Sequence, residues 1–118
     1  MRRKADSLIP LEARILAAGL AFRERGQPDF HGFLVAKEIQ ADTSARRLTA
    51  HGTLYKALGR LEKAGLVRSR WEDPEAAAHE RRPRRRLYEV TSTGERALAD
   101  AARADRAGAT RRGALEVA

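Results

Sequence analysis

Basic side chains are the residues best placed to do chemistry in this sequence, and they gather in two clusters. Lys56, Arg60 and Lys63 are spaced four and three residues apart, which puts them on one face of a helix. Between Arg81 and Arg86, five of six residues are arginine. Guanidinium and ammonium groups at this density suit the phosphates of a polyanion, with nucleic acid as the natural partner.

The overall charge agrees with these clusters. The 118 residues carry a formal net charge of +8, and the sequence pI is near 10.9. Such a field raises encounter rates with phosphate backbones and supports non-specific nucleic-acid affinity. The simpler alternative is a protein whose composition is merely rich in arginine, so charge alone leaves both interpretations open.

Other kinds of site find little support in the sequence. Cysteine is absent, which excludes disulfides, thiolate nucleophiles and cysteine-containing zinc sites. His31, His51 and His79 fall in different predicted elements, and no metal-ligand spacing links them to carboxylates. No glycine-rich phosphate loop follows a strand. We therefore expect a protein that is not an enzyme and uses no cofactor.

The beginning of the chain resembles a targeting signal only superficially. Basic residues 1–4 precede an apolar stretch over 8–22, but Pro10 opens that stretch and Glu12 and Arg14 interrupt it. No run approaches the ~20 apolar residues that span a bilayer. The expectation is a cytoplasmic protein with no membrane partner.

Apolar periodicity predicts the elements that position the two basic clusters. Helical spacing and strict alternation together predict helices over 9–25, 32–41, 50–64 and 92–108, and strands over 67–71 and 85–90. The two strands should pair as a hairpin. Residues 42–47 are expected to form a turn, and Thr91 is expected to cap the last helix.

The third predicted helix has two contrasting faces. Leu54, Leu58 and Leu61 line one face, whereas the basic face also carries Gly52 and Gly59. An interior glycine costs about 1 kcal/mol against alanine. Two glycines on an exposed face therefore suggest close approach to another backbone, such as that of DNA.

The remaining large apolar side chains are assigned mostly to the core. The members expected there, outside the third helix, are Phe33, Ala36, Ile39, Val67, Tyr88 and Val90. Trp71, the sole tryptophan, lies on a strand whose alternate face is apolar. Core packing is the favoured role for Trp71, and lining an effector pocket is the alternative.

Three helices followed by a hairpin with a basic connection is the order of a winged helix-turn-helix. A major groove about 12 Å wide admits one helix, while arginines of the hairpin can lie on the backbone or in the minor groove. The expected fold is mainly α with a small β-hairpin, a winged helix-turn-helix plus a C-terminal helix. We expect a basic extension over 1–7, a DNA-binding domain over 8–91, the helix over 92–108 and a mobile tail over 109–118.

A known family shows the same motifs in the same order. The string HGTLYKALGRLEKAGLV over residues 51–67 closely resembles the recognition-helix signature of PadR-like transcriptional regulators. Residues 31–39 are similar to the family's second-helix motif. Residues 71–72 and the basic run leading into Tyr88 resemble its wing, and residues 91–94 resemble the start of its last helix. Phe33 and Ser92 depart from the pattern, because tyrosine and proline are common there.

The resemblance and the charge pattern together suggest which side chains reach double-stranded DNA. The candidates are His51, Thr53, Tyr55, Lys56, Arg60 and Lys63 on the helix, and Arg82, Arg84 and Arg85 in the wing. Tyr55 also fits an aromatic at the edge of the core, and His51 fits a helix cap. Arg60 and Lys63 fit either phosphate contacts or a solvated helix face.

The resemblance further implies a dimeric regulator, usually a repressor, that grips a pseudo-palindromic site and is released by a small ligand or another signal. Family members dimerise mainly through the C-terminal helical region, against which the first helix packs. The last helix here is rich in alanine, so the first helix is expected to supply much of the interface. The expected interface residues are Leu8, Leu11, Ile15, Phe22 and Leu98.

A second function stays open at the level of the sequence. A winged helix can also serve an adaptor or an architectural protein that binds DNA non-specifically or binds another macromolecule. Specific binding and non-specific binding differ in how far they survive added salt.

Overall fold

The computed structural model describes residues 8–40 and 51–117, and the side chains of residues 8–39 and 52–107. The expected basic extension over 1–7 and the expected turn over 42–47 lie outside the described residues. So does the side chain of His51.

Six of the eight described elements were predicted from the sequence. In chain order the structure has α1 (Pro10–Glu24), β1 (Phe30–His31), α2 (Gly32–Gln40), α3 (His51–Lys63), β2 (Val67–Trp71), α4 (Pro74–His79), β3 (Arg86–Val90) and α5 (Ser92–Val117). The strands form an antiparallel sheet in the order β1-β3-β2. The expected fold class, mainly α with a small β-hairpin, is confirmed, and the sheet contains one strand more than the hairpin.

The sheet has a third strand that the sequence pattern does not reveal. β1 is only two residues long, which is too short for alternation to be visible, and it pairs Phe30 with Tyr88 of β3. Phe30 is fully buried, and its ring lies 6.2 Å from that of Tyr88 and 5.9 Å from that of Phe22. This short strand therefore ties the sheet to α1.

The core lies where α1 crosses α3 and the sheet. Ile15 and Leu16 of α1 and the three predicted leucines of α3 are at most 1% exposed. Helix and sheet come very close at Gly19, where a Cβ would stand 2.6 Å from Val90 Cγ2 and 2.7 Å from Phe30 Cε1. The absence of a side chain at Gly19 lets α1 pack against the sheet.

Two side chains expected in the core are exposed instead. Phe33 is 55% exposed because the inward stripe of α2 runs through Gly32, Val35, Ala36 and Ile39, and Phe33 falls beside it. Trp71 is 54% exposed because its face of β2 becomes less buried along the strand, from buried Val67 through half-buried Ser69. The core assignments of Phe33 and Trp71 were wrong, whereas the others named above are confirmed.

The connection between β2 and β3 contains a short helix, α4. Asp73 caps it by accepting a hydrogen bond from the Glu75 backbone N–H at 2.9 Å, Pro74 opens it, and Ala77 is buried. A capping aspartate followed by proline is a helix-start signal. The helix was missed because it carries no large apolar residue.

The predicted cap of α5 is confirmed, but its predicted end is wrong. The Thr91 hydroxyl accepts a hydrogen bond from Gly94 N–H at 3.0 Å and donates one to the Gly65 carbonyl at 2.7 Å. The helix continues to Val117 instead of ending near residue 108. Its alanines and arginines favour helix, and no proline interrupts it.

The start of α5 leaves no room for a side chain at Gly94. A Cβ there would lie 2.1 Å from the Leu66 carbonyl oxygen, which already accepts a hydrogen bond from Thr91 N–H at 3.0 Å. We expect Gly94→Ala to lower the free energy of unfolding by about 1–3 kcal/mol, as overpacking does. Denaturant unfolding measures the loss.

Gly52→Ala is the matched control for Gly94→Ala. A Cβ at Gly52 meets nothing within 4 Å, so stability should stay equal or rise slightly. Equal stability of the Gly94→Ala variant and the unmodified chain would contradict this packing.

Candidate nucleic-acid interface

Helix α3 is divided between a buried face and an exposed one. Leu54, Ala57, Leu58 and Leu61 are at most 1% exposed and anchor the helix to the core. The exposed positions are Gly52, Thr53, Tyr55, Lys56, Gly59, Arg60 and Lys63. The predicted contact residues of α3 whose side chains are described are therefore all on its exposed face.

Tyr55 lies at the edge of the core and is also partly exposed. Its ring is 47% exposed, yet it packs against the start of α2, where a Cβ at Gly32 would lie 2.6 Å from the Tyr55 hydroxyl oxygen. Gly32 thus makes space for the ring. Tyr55 joins the two helices of the helix-turn-helix and still presents part of its surface outward.

Arg60 lies on the outer surface of α3 and also forms an ion pair within the chain. Its Nε donates to Glu12 Oε2 at 2.8 Å, and the Glu12 side chain is fully buried. The other oxygen of this carboxylate accepts from the Ile9 backbone N–H at 3.2 Å. Arg60 is 42% exposed, so it links α3 to α1 and retains some surface for a partner.

His31 stands at the start of α2 as its N-cap. The Nδ1 atom accepts a hydrogen bond from the Leu34 backbone N–H at 3.2 Å, which requires an imidazole that is unprotonated at that nitrogen. Burial, assisted by the charges of Arg85 and Arg82 and opposed by Glu72, lowers the pKa of His31 below its ordinary 6.5. The neutral form is therefore favoured in the folded protein.

The wing is formed by β2, α4 and β3, and an ion-pair cluster joins residues of its connection to the end of β2. Arg82 Nη1 and Nη2 bind the two oxygens of Glu72 at 2.5 and 2.8 Å, and Arg82 Nε binds Glu80 at 2.6 Å. The Arg82 guanidinium lowers the pKa of Glu72 from 4.5 to about 2. Only 19% of the Arg82 side chain is exposed, so most of its hydrogen-bonding capacity is used within the wing.

The other wing candidates are placed differently. The Arg84 and Arg85 side chains are exposed, and among the described residues neither has an ion-pair partner. The backbone N–H of Arg85 donates to Glu72 Oε1 at 3.3 Å, and its carbonyl accepts from Glu72 N–H at 2.9 Å. The cluster around Glu72 thus fixes the backbone that carries these two arginines.

Three of the residues expected at a dimer interface lie inside the single chain. Leu11, Ile15 and Phe22 are 4%, 0% and 4% exposed and belong to the core cluster. They have almost no surface to offer a partner, which corrects the expectation. Leu8 and Leu98 are partly buried at the margin of the core.

An anchored helix with a basic outer face, placed beside an arginine-bearing wing, defines a DNA-binding protein of the winged helix-turn-helix class. In the described part of the chain, no cluster of three or more His, Cys, Asp or Glu residues could hold a metal ion. There, no helix is both long and apolar enough to cross a membrane.

Comparisons with known proteins give the family. The model of the Transcriptional regulator PadR-like family matches residues 24–100, and the chain belongs to that family. A transcriptional regulator from Clostridium thermocellum has a similar structure, with a TM-score of 0.63 and 22% identity over 90% of this chain and 87% of that one.

A second solved structure gives the same fold. A PadR family transcriptional regulator from Eggerthella lenta matches with a TM-score of 0.61 and 24% identity, over 89% of this chain and 86% of that one. The comparison with curated proteins finds no match. The resemblance stated from the sequence is confirmed: the chain is a DNA-binding transcription regulator of a family that is not enzymatic.

The functional residues that sequence reasoning missed are those that support the surface. Glu72, Glu12 and Gly32 contact predicted DNA-binding residues from inside the chain. Glu72 lies in the wing motif and Gly32 in the second-helix motif, but neither motif indicates these contacts. Their partners lie 10, 48 and 23 positions away in the chain. Local spacing carries no signal for such pairs.

The His31 cap makes stability depend on pH in a definite direction. Because the folded pKa lies below the unfolded value of 6.5, the contribution is fully present above pH 6.5 and is lost as pH falls through the folded pKa. A helix cap contributes about 1 kcal/mol. We expect His31→Asn, which offers an acceptor that does not titrate, to flatten the pH dependence of unfolding between pH 5 and 7.

Urea unfolding across that pH range, with exposed His79→Gln as the control, measures the effect. The control should keep the pH slope of the unmodified chain. An unchanged slope in the His31→Asn variant would exclude this role.

Proposed function

We propose that the chain is a dimeric repressor that binds a pseudo-palindromic site on double-stranded DNA and is released by a small ligand or another signal. The observation that carries this proposal is the outer surface of α3, where the predicted contact residues are exposed together. In this proposal α3 enters the major groove and Thr53, Tyr55 and Lys56 face the bases. Arg60, Lys63 and His51 contact phosphates.

The glycines of α3 support close approach of a partner. A Cβ at Gly52 or at Gly59 would meet nothing within 4 Å, so packing inside the chain does not require either glycine. Each glycine lowers the stability of the helix, and no contact within the chain compensates for that loss. A DNA backbone or base edge lying against this face supplies a reason for both.

The wing contributes phosphate contacts in this proposal, but its arginines have different roles. Arg84 and Arg85 are exposed and available for phosphates, whereas Arg82 is held by Glu72 and Glu80. We therefore propose that Arg82 contributes mainly by holding the wing closed. Trp71 as an effector contact remains a prediction.

Selection of duplexes from a random library, followed by anisotropy measurements with the selected and a scrambled duplex, tests the function. Specific binding should persist at salt concentrations where the scrambled duplex is released. Equal affinity for both duplexes would instead favour an architectural role. Repression predicts that a reporter behind the selected site is transcribed more when the protein is absent.

The substitution Gly59→Ala in α3 should change protein stability and DNA affinity in opposite directions. The variant should be more stable by about 0.5–1 kcal/mol, because alanine is the better helix former and its Cβ has space. The same Cβ should weaken binding of the selected duplex about tenfold, as a steric insertion into a packed contact does. Unfolding and anisotropy experiments measure the two effects.

Thr93→Ala at an exposed position of α5 is the control, because it removes side-chain atoms from a helix without touching α3. Its affinity should equal that of the unmodified chain. Unchanged affinity in the Gly59→Ala variant would place the DNA on another face.

The proposed dimer is supported by the length of α5. Its 26 residues extend about 39 Å, and the helix packs against α1 and β3. Ala101 and Ala102 are half-buried, whereas residues 103–107 are exposed. A helix segment of this size is only marginally stable alone in water. A second copy of the chain, meeting α5 near Leu98 and α1 near Leu8, would cover it.

A chain that ends at Ala102 tests the dimer. It keeps the described core contacts of α5, so it should remain folded by circular dichroism. Sedimentation should give a dimer for the full chain and a monomer for the shortened one. A monomeric full chain at micromolar concentration, or a dimeric shortened chain, would contradict the proposed interface.

A further inference from the structure

Trp71 is the sole tryptophan and lies at the exposed end of β2, an edge strand of the sheet. Two guanidinium groups lie over its ring. Arg84 Cζ is 5.5 Å and Arg86 Cζ is 5.1 Å from the ring centroid, both within the ~6 Å range of a cation–π interaction. Core packing does not account for an exposed indole beside two guanidinium groups.

Strand pairing fixes part of this arrangement. Trp71 and Arg86 are directly opposite each other in the β2–β3 ladder, where side chains on one face meet. Arg86 is also 3.9 Å from Glu62 Oε2, whereas Arg84 has no ion-pair partner among the described side chains. The ring is therefore the main feature that restrains the Arg84 side chain.

An aromatic ring and a carboxylate hold an arginine in different ways. Arg82 uses its N–H donors on Glu72 and Glu80, so few remain for another partner. Contact with an aromatic face restrains the side chain but leaves the in-plane N–H donors of Arg84 for an external acceptor. A restrained arginine also loses less conformational entropy when it binds a phosphate.

We propose that Trp71 is a positioning residue for DNA binding: its ring holds the Arg84 guanidinium, beside that of Arg86, in place for the phosphates of the DNA backbone. The inference rests on the proposed function and names a residue that acts through another. Trp71 itself reads no base. It raises affinity for any duplex that the wing contacts.

A double-mutant cycle on the full chain tests this coupling, with anisotropy of the selected duplex as the readout. Trp71→Leu should weaken binding about two- to fivefold in the unmodified chain, the range expected for an exposed cation–π contact. In the Arg84→Ala background it should have almost no effect. Trp71→Phe, which retains an aromatic face, should restore most of the affinity.

Arg68→Ala is the matched control for the cycle. Arg68 lies near the other end of β2, is exposed, and pairs with Glu89 at 2.6 Å. The losses of binding free energy caused by Trp71→Leu and by Arg68→Ala should add. Additive losses from Trp71→Leu and Arg84→Ala as well would overturn the inference.

A second measurement needs no substitution and so does not depend on the folding of any variant. Because Trp71 is the sole tryptophan, its emission reports on this site alone. Its emission should change as the selected duplex saturates the chain, and unchanged emission at saturation would also overturn the inference. Failure of the chain to bind the duplex at all would instead defeat the proposed function, and this inference with it.

Discussion

The structure depends on the burial of one face of a thirteen-residue helix. Leu54, Leu58 and Leu61 of α3 are almost completely removed from solvent, and α1 and the sheet pack around them. Burying a leucine side chain contributes roughly 1.5–3 kcal/mol, so this face fixes both the position and the rotation of α3. The opposite face is thereby held outward, and the proposed DNA-binding surface is a consequence of how the core packs.

Some arginines of the chain form ion pairs that support the fold, whereas others carry no ion pair among the described residues. Arg60 and Arg82 each bind a carboxylate, and these pairs hold α3 against α1 and keep the wing closed. Among the described residues, the Arg85 backbone binds Glu72, the Arg84 side chain lies over the Trp71 ring, and neither arginine forms an ion pair. A basic cluster in the sequence therefore contains arginines that form ion pairs and arginines that do not, and the net charge cannot distinguish them.

Much of the fold could be predicted from periodicity and capping, because these signals are local. The bounds of β2, the cap at Thr91 and the buried face of α3 all follow from residues within a few positions of one another. β1 and α4 were missed because a two-residue strand and a six-residue alanine-rich helix show no hydrophobic pattern.

The burial of a given residue depended on more than its own element. Phe33 and Trp71 have the right type for the core, but they lie beside or beyond the surfaces that cover it. The first-helix residues Leu11, Ile15 and Phe22 were assigned to a dimer on the resemblance, yet the chain's own helices and strands already cover them. Pairs such as Glu12 with Arg60 join distant parts of the sequence, and only the assembled fold reveals them.

The central claim is that α3 lies in the major groove while the wing contacts the backbone. Methylation interference on the selected duplex tests it directly, because dimethyl sulfate modifies guanine N7 in the major groove. The account predicts interference at guanines in two half-sites about one helical turn, or a multiple of it, apart. Full binding to duplexes methylated at every guanine of the bound region would contradict it.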